Sequence, residues 1–214
     1  MPRLTKKQQR ALLAVDALKT LYPDAACSLT AKNAFELLVA VRLSAQCTDA
    51  RVDLVTPALF ARFPDAKAMA AARVEDVEEL IHSCGLYKTK ARDLVAMANM
   101  LENTYDGEIP DTVEELTKLP GVGRKTANLV CGDIFGMPGA VVADTHCIRI
   151  SNRLGLCDST DPKKVETQLR ALLPPHESSD FCHRIVHFGR DICSARSPKC
   201  GECPLKDDCP SSGK

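Results

Sequence analysis

Residues 119–127 read LPGVGRKTA and lie between two stretches of helical periodicity. Pro120 ends the first predicted helix, and Gly121 and Gly123 permit a tight hairpin whose backbone can approach a ligand. The second helix starts near Arg124, and free amides at a helix start can hold a phosphate oxygen without reading bases. The pattern predicts a helix-hairpin-helix motif, and the alternative is an ordinary turn between antiparallel helices. The predicted phosphate contacts are Gly121, Val122, Gly123 and Arg124.

Lys125 lies in the first turn of the second predicted helix, beside Arg124. If its side chain is partly buried, the positive helix end and the neighbouring guanidinium both disfavour an ammonium ion there. A neutral amine is a nucleophile suited to Schiff-base chemistry on a sugar carbon. The spacing alone equally allows a phosphate-binding lysine that stays charged.

Asp144 opens the segment Asp-Thr-His that precedes a further apolar helix. The simplest interpretation is an N-cap, which stabilises a helix by about 1 kcal/mol. The functional alternative is an anion that stabilises positive charge on a sugar while a glycosidic bond breaks. We interpret His146, two residues later, as a surface or packing residue rather than a base.

Four of the 11 cysteines follow the spacing C-x6-C-x2-C-x5-C, at Cys193, Cys200, Cys203 and Cys209. Four thiolates this close indicate a metal site, and both zinc and a [4Fe–4S] cluster accept such a set. Zinc sites commonly use two C-x2-C pairs, and the single pair here favours iron without deciding the question. Arg196 and Lys199, in the first inter-cysteine loop, are candidate phosphate contacts, with simple solubility as the alternative.

Composition excludes several classes of protein. With 45% hydrophobic residues the chain of 214 residues is too apolar to be disordered, and no stretch reaches the roughly 18 apolar residues of a membrane span. An odd cysteine number in a chain of this length argues against a secreted disulfide scaffold and for a reducing, cytoplasmic location. The 28 basic and 28 acidic residues balance, so that a polyanionic partner must be met by a local patch.

Helical periodicity dominates, and convincing alternating strands are missing. Asn33 followed by Glu36 predicts a helix start, and apolar residues from Val74 to Cys84 recur at helical spacing until Gly85 stops that helix. Residues 136–140, GMPGA, are the best candidate hinge. The sequence therefore predicts an all-α protein.

With these residues in hand, the chain closely resembles the endonuclease III family of DNA glycosylase/AP lyases. The match runs from about Phe35 to Cys209 through FELLVAVRLSAQCTD, GLYKTKA, LPGVGRKTAN, ADTH with SNRLGL, and the four-cysteine spacing. The resemblance implies the helix-hairpin-helix DNA glycosylase fold, in which two helical lobes enclose the DNA cleft. The hairpin and Asp144 would face each other across it. The implied domains are a six-helix domain at 28–136, with the helix-hairpin-helix at about 112–135, and an iron-sulfur domain of 1–27 plus 137–214, with its cluster loop at 193–209.

The resemblance also implies roles for single residues. Lys125 matches the Schiff-base lysine of the family and Asp144 its catalytic aspartate. Gln46 matches the residue that fills the gap left by an extruded nucleotide, and Leu86 the wedge on the opposite strand. Without the family we would interpret these two as an interhelical polar cap and a core leucine.

The implied activity is that of a bifunctional enzyme of base excision repair. It removes oxidised pyrimidines from duplex DNA and cleaves the abasic site on its 3′ side by β-elimination through a lysine Schiff base. The implied cofactor is a [4Fe–4S] cluster, the implied partner is double-stranded DNA with damaged bases or abasic sites, and a cytoplasmic, nucleoid-associated monomer is expected, with no membrane partner.

Two alternatives compete with this interpretation. A monofunctional adenine-mismatch glycosylase shares the hairpin and the cluster but lacks a lysine at the position of Lys125. A noncatalytic DNA-binding or redox-sensing cluster protein would use the hairpin for phosphates and the metal for structure. Four positions depart from the pattern of the family, and we expect three of them to lie near the site: Cys47, Met137, Ala143 and Cys147.

Overall fold

The computed structural model describes residues 4–213, which form α-helices joined by short loops and two 3-10 turns, with no strand among them. The all-α prediction is therefore confirmed. Residues 1–3 and 214, which belong to the predicted iron-sulfur domain, lie outside the described residues. No helix of the described part of the chain has the length and apolar character that a membrane span requires.

The helices have the following bounds: α1 Lys6–Leu21, α2 Ala34–Ser44, α3 Asp49–Arg62, α4 Ala66–Ala70, α5 Val74–Ile81, α6 Tyr87–Tyr105, α7 Val113–Leu116, α8 Arg124–Asp133, α9 Thr145–Arg153, α10 Pro162–Arg170 and α11 Ser178–Asp191. The 3-10 turns are Pro175–Glu177 and Cys200–Glu202.

The chain forms two compact units, and one of them is Cys27–Phe135. This unit contains the seven helices α2–α8, where the resemblance implies six, because the segment before the hairpin forms the single-turn helix α7. Its core consists of apolar side chains that are fully removed from water, which is the main source of its stability. They include Leu38, Leu43, Met69, Ile81, Leu94, Met97 and Leu101.

The second unit combines the described residues before Cys27 with those from Gly136 onward. Its core is shared by α1, α9, α10 and α11, with Leu18, Ile150 and Phe181 fully buried. An ion-pair network ties α1 to the start of α11, since Glu177 accepts hydrogen bonds from Lys19 and, at 2.7 Å, from Arg184. The hydrogen bond from Lys19 is the main reason that the pKa of Glu177 lies below its ordinary value.

Capping residues explain several of the helix starts. The Asn33 side chain accepts from the Glu36 amide at 2.9 Å, as predicted. The prediction that one helix runs from Val74 to Cys84 is wrong, because α5 ends at Ile81. The Cys84 amide donates to the Ile81 carbonyl, three residues back, so the i→i−4 pattern of the α-helix is lost before Gly85.

The hairpin between α7 and α8 rests on an ion pair of the same unit. Arg42 of α2 donates to Asp93 of α6 from Nε at 2.9 Å and from Nη2 at 2.5 Å. Gly121 lies directly on this pair with φ +75°, and a Cβ atom there would be 2.7 Å from Arg42 Nε and 3.0 Å from Asp93 Cβ. Only glycine satisfies both the left-handed backbone and the close approach.

Gly121→Ala should destabilise the protein by roughly 1–3 kcal/mol, because the new methyl group strains the backbone and pushes Arg42 from Asp93. Gly123→Ala is the matched control, since no atom lies within 4 Å of a Cβ built at Gly123. It should cost less than about 1 kcal/mol. Urea unfolding of both variants measures the difference, and equal losses would contradict this account of the hairpin.

Candidate functional site

The predicted nucleophile lies at the start of a helix. Gly123, with φ −90° and ψ 170°, is the N-cap of α8 and, as a glycine, has no side chain to cap the first amides of this helix. Lys125 is the second residue of α8, and its side chain is exposed. The partial burial on which the neutral-amine argument depends is therefore wrong for the protein without DNA.

Some of the other hairpin residues stabilise the turn, and others are exposed on its surface. Val122 is buried, and its amide donates to the Leu119 carbonyl at 3.1 Å, so both its side chain and its amide serve the turn itself. Gly121 and Gly123 are exposed, and Arg124 is half-buried at the first position of α8. Because the N-cap residue Gly123 has no side chain, the amides of the first turn of α8 carry partial positive charge toward solvent. This helix start can therefore bind an anion.

Two other residues of the same unit are held in left-handed backbone conformations. Gln46 has φ +54° and Leu86 has φ +59°, and both side chains are exposed, Leu86 to 57%. Positive φ is unfavourable for a residue with a Cβ atom and occurs most often where function requires a fixed backbone. The core-leucine interpretation of Leu86 is therefore wrong.

These two residues lie on neighbouring turns. A Cβ atom built at Gly85 would be 3.1 Å from the Gln46 carbonyl oxygen, so the turn that ends α2 packs against the turn that precedes α6. The pair thus presents an exposed amide and an exposed apolar side chain side by side. No feature of residue type signals a left-handed glutamine or leucine in the sequence.

Asp144 is the N-cap of α9 in the second unit, as the simplest interpretation predicts. Its Oδ1 accepts from the Cys147 amide at 2.7 Å, and its Oδ2 lies 3.3 Å from Nδ1 of His146. The side chain keeps 22% of its surface exposed. Oδ1 is therefore committed to the cap, whereas Oδ2 has only the longer contact with the His146 ring.

The neighbours of Asp144 are packing residues. His146 lies against α11, where a Cβ atom at Gly189 would be 2.7 Å from the ring. Cys147 is fully buried and lies within hydrogen-bonding distance of Cys182. That hydrogen bond and burial both raise the pKa of Cys147, which keeps this thiol protonated and unsuited to nucleophilic attack.

The four C-terminal cysteines of the predicted metal site line one cavity. Its volume is about 220 Å³, and Arg196 and Lys199 are exposed residues at its edge. Burial raises the pKa of Cys203, and the neighbouring Cys193, Cys209 and Cys200 raise it further. Four mutually repelling thiolates need a positive group between them, which is what iron ions supply.

The donor set fits an iron-sulfur cluster better than a single ion. A zinc ion draws its thiolates to about 2.3 Å, whereas a cluster binds each thiolate at a different iron and therefore needs them spread around a larger space. Cysteines distributed around a cavity meet the second requirement.

Helix α9 also holds the cysteine loop, a role that motif reasoning missed. Arg149 donates to the Cys193 carbonyl at 3.1 Å. Arg153, one turn later, donates to the Ser194 carbonyl at 2.7 Å and lies 3.4 Å from Cys193 Sγ. The only sequence signal is the i, i+4 spacing of two arginines, which is equally typical of an exposed helix face.

Comparison with known proteins decides the family. Residues 39–175 match the HhH-GPD superfamily of base excision DNA repair proteins, and residues 193–209 match the iron-sulfur binding domain of endonuclease III. Endonuclease III of Synechocystis is 47% identical over 98% of this chain and 96% of its own length. The chain belongs to the endonuclease III family. Endonuclease III of Bacillus subtilis is 44% identical over 91% of this chain and 89% of its own length.

Solved structures of the family agree with this assignment. A trapped covalent intermediate of an endonuclease III with DNA has a TM-score of 0.88 and 45% identity, and covers 98% of both chains. A noncovalent endonuclease III–DNA complex has a TM-score of 0.87 at the same identity, over 98% of this chain and 97% of that chain. A thermostable thymine-DNA glycosylase, at 20% identity and a TM-score of 0.87 over 97% and 99%, shows the shared fold alone.

Membership in the endonuclease III family makes the chain a DNA N-glycosylase and AP lyase of base excision repair, with a [4Fe–4S] cluster as its cofactor. Cys193, Cys200, Cys203 and Cys209 would hold the cluster, which supplies structural cross-linking of the loop when it is bound.

Cys203→Ser should remove the visible thiolate-to-iron absorption and most of the roughly four irons per chain, because binding of the metal and folding of the loop are coupled. Affinity for duplex DNA should fall together with the iron content. Cys27→Ser, a half-buried cysteine of the other unit, is the control and should keep both. Full iron content in Cys203→Ser would contradict the assignment of this ligand.

Proposed function

We propose that Lys125 is the nucleophile and Asp144 the electrostatic partner in removal of oxidised pyrimidines from duplex DNA. The observation that carries this proposal is the placement of an exposed lysine in the first turn of a helix whose N-cap residue is a glycine, without a capping side chain. A phosphate of bound DNA can approach the amides of this first turn, which brings the sugar-phosphate backbone to the amine. We further propose that Cys27–Phe135 is the hairpin domain and that the second unit is the iron-sulfur domain.

The proposed reaction starts with extrusion of the damaged nucleotide, because the target bond is out of reach inside the base stack. The amine of Lys125, once it is neutral, attacks C1′ of the sugar, and the damaged base leaves with a proton that the amine gives up. The bond between C1′ and the ring oxygen then breaks, the ring oxygen takes up a proton, and the protonated imine that forms acidifies the C2′ proton. Loss of that proton breaks the bond to the 3′ phosphate by β-elimination, and hydrolysis of the imine returns the free lysine.

Asp144 acts on the same sugar by charge. Positive charge develops at C1′ as the base departs, and a fixed carboxylate stabilises it without needing to reorganise. The cap uses Oδ1 alone, and the hydrogen bond from the Cys147 amide fixes the direction of the carboxylate. Capping and catalysis are therefore compatible roles for one side chain.

Gln46 and Leu86 complete the proposal as residues that enter the DNA. Exposed side chains on two rigid, neighbouring turns suit insertion into the stack, where an apolar wedge offsets part of the unstacking cost. Arg196 and Lys199 are proposed phosphate contacts at the cysteine loop. Because the proposed substrate is duplex DNA, we propose that the protein acts at the nucleoid in the cytoplasm.

Neither alternative function has an observation in its favour. A noncatalytic cluster protein disagrees with membership in a family of glycosylase/AP lyases. An adenine-mismatch glycosylase would have no use for the lysine at position 125.

Lys125→Ala should abolish the borohydride-trapped adduct with a duplex containing an abasic site, and should slow strand cleavage at least about a hundredfold. Binding to a duplex with a stable abasic analogue should persist, which separates loss of chemistry from loss of affinity. Lys118→Ala, at an exposed lysine on the other side of the hairpin, is the matched control and should be trapped normally. An undiminished adduct in Lys125→Ala would overturn the lyase assignment.

Asp144→Asn separates the two roles of this side chain, because asparagine caps a helix as well as aspartate but carries no charge. We expect an unfolding free energy close to that of the parent and a fall in single-turnover base excision of about 10²-fold. Asp144→Ala should add a stability loss of about 1 kcal/mol from the missing cap. Normal excision by the asparagine variant would leave Asp144 with the capping role alone.

A further inference from the structure

Two thiols outside the cysteine cavity lie on the neighbouring turns that the proposed function places against DNA. Cys47 directly follows Gln46, and Cys84 lies two residues before Leu86. Both are free thiols, and Cys47 is close enough to raise the pKa of Cys84. Cys47 is half-buried, whereas Cys84 is only 1% exposed.

Short turns hold both sulfurs in place. The Cys47 amide donates to the Ser44 carbonyl at 3.0 Å, and the Cys84 amide donates to the Ile81 carbonyl at 2.8 Å. Gln46 and Gly85 are the residues next to the two cysteines in sequence, and the close approach of Gly85 to the Gln46 carbonyl packs one turn on the other. The proximity of Cys47 and Cys84 is therefore set by the backbone of the two turns.

The surroundings supply positive charge. Lys90 is fully buried in this unit, and its Nζ donates to the Leu43 carbonyl at 2.7 Å. Burial and the neighbouring Cys47 raise the pKa of Cys84 to about 11, and the charges of Lys90 and Arg51 oppose that rise. The more accessible Cys47 is accordingly the first thiol to meet a reagent, and Cys84 is the second thiol behind it.

We propose that Cys47 and Cys84 form an oxidisable dithiol, a modification site that low-molecular-weight disulfides such as oxidised glutathione convert into an intramolecular disulfide. Closure of this bond disables the turns of Gln46 and Leu86. The statement about closure rests on the proposed function, because it assumes that these turns enter DNA, whereas the modification itself does not.

The chemistry balances in two exchange steps. The Cys47 thiolate attacks one sulfur of oxidised glutathione, a mixed disulfide forms, and the first glutathione leaves as a thiolate that takes up the proton lost by Cys47. The Cys84 thiolate then attacks the Cys47 sulfur, and the second glutathione leaves and takes up the proton of Cys84. Two protein thiols are oxidised, and one disulfide is reduced to two glutathione thiols.

Disulfide formation changes the geometry of the turns. A disulfide requires an S–S distance of about 2.05 Å and a dihedral angle near ±90°, whereas two unbonded thiols are further apart. The new bond therefore draws the two side chains together and reduces the freedom of both turns. DNA lying over Gln46 would cover Cys47, so that bound DNA should protect the dithiol.

The first experiment tests the modification without using activity. The anaerobic holoenzyme is incubated with oxidised glutathione, free thiols are alkylated, and tryptic peptides are analysed by mass spectrometry. The expected product joins peptides 43–51 and 74–88, each of which contains a single cysteine. The visible absorption of the cluster should not change. Absence of this linked pair overturns the proposal, whatever the enzyme does to DNA.

Matched variants identify the pair. Cys47→Ala and Cys84→Ala should each abolish the linked product, and the half-exposed position of Cys47 keeps the first variant informative if the buried substitution fails to fold. Cys27→Ala, at a half-buried cysteine beside Asp49 and Asp53, is the control and should keep it. Equal yields in all three variants would contradict the assignment.

The second experiment tests closure. Affinity of the oxidised holoenzyme for a duplex with a stable abasic analogue should fall at least about fivefold, recover with dithiothreitol, and be insensitive to the oxidant in Cys47→Ala, which lacks the thiol that reacts first. The linked peptide should form more slowly when that duplex is bound. A linked peptide with undiminished affinity would refute closure but leave the dithiol, and failure of Lys125 trapping would affect neither peptide result.

Discussion

The hydrogen bond from the Cys147 amide to Asp144 fixes the start of α9, and the functional arrangement of the second unit depends on that helix. Its first turn orients the proposed catalytic carboxylate, and its last two turns hold the cysteine loop through Arg149 and Arg153. A helix of nine residues spans about 13 Å as a rigid rod. The carboxylate and the cluster loop are consequently fixed relative to each other by one element, which explains why a structural cluster belongs to a catalytic protein.

The other unit uses charges largely removed from water for a similar purpose. Arg42 and Asp93, whose side chains are 15% and 27% exposed, form the support on which Gly121 lies, and the fully buried Lys90 fills the space behind the turns that carry Gln46 and Leu86. Such charges are costly unless they are paired or hydrogen-bonded, and these three satisfy that requirement. The exposed residues proposed to contact DNA are thereby held by interactions that solvent screens only in part.

Short sequence patterns predicted most of the features that depend on neighbouring residues. The hairpin bounds follow from proline and glycine, the start of α9 follows from an aspartate before an amphipathic stretch, and the cysteine loop follows from its spacing. The sequence did not predict features that depend on residues far apart in the chain. The exposure of Lys125 depends on the packing of the whole unit, and the Arg42–Asp93 pair joins positions 51 residues apart. The left-handed backbone of Leu86 has no signal in residue type, since leucine normally avoids it.

The family resemblance supplied what the residues alone left open. Spacing alone did not separate a catalytic from a phosphate-binding lysine, or zinc from iron, because each pair of alternatives requires the same residue types. The ordered occurrence of five motifs favours the catalytic lysine and the iron-sulfur cluster, and the comparisons confirm the family and the cofactor.

We propose that the Lys125 amine of α8 forms the covalent bond to the sugar, and peptide mapping of the borohydride-reduced adduct tests this most directly. Trypsin cannot cleave after a modified lysine, so we expect a sugar-derived mass on the peptide that begins at Lys125 and ends at Arg149. The same mass on any other amine, with Lys125 unmodified and cleaved normally, would contradict the assignment of Lys125 as the nucleophile.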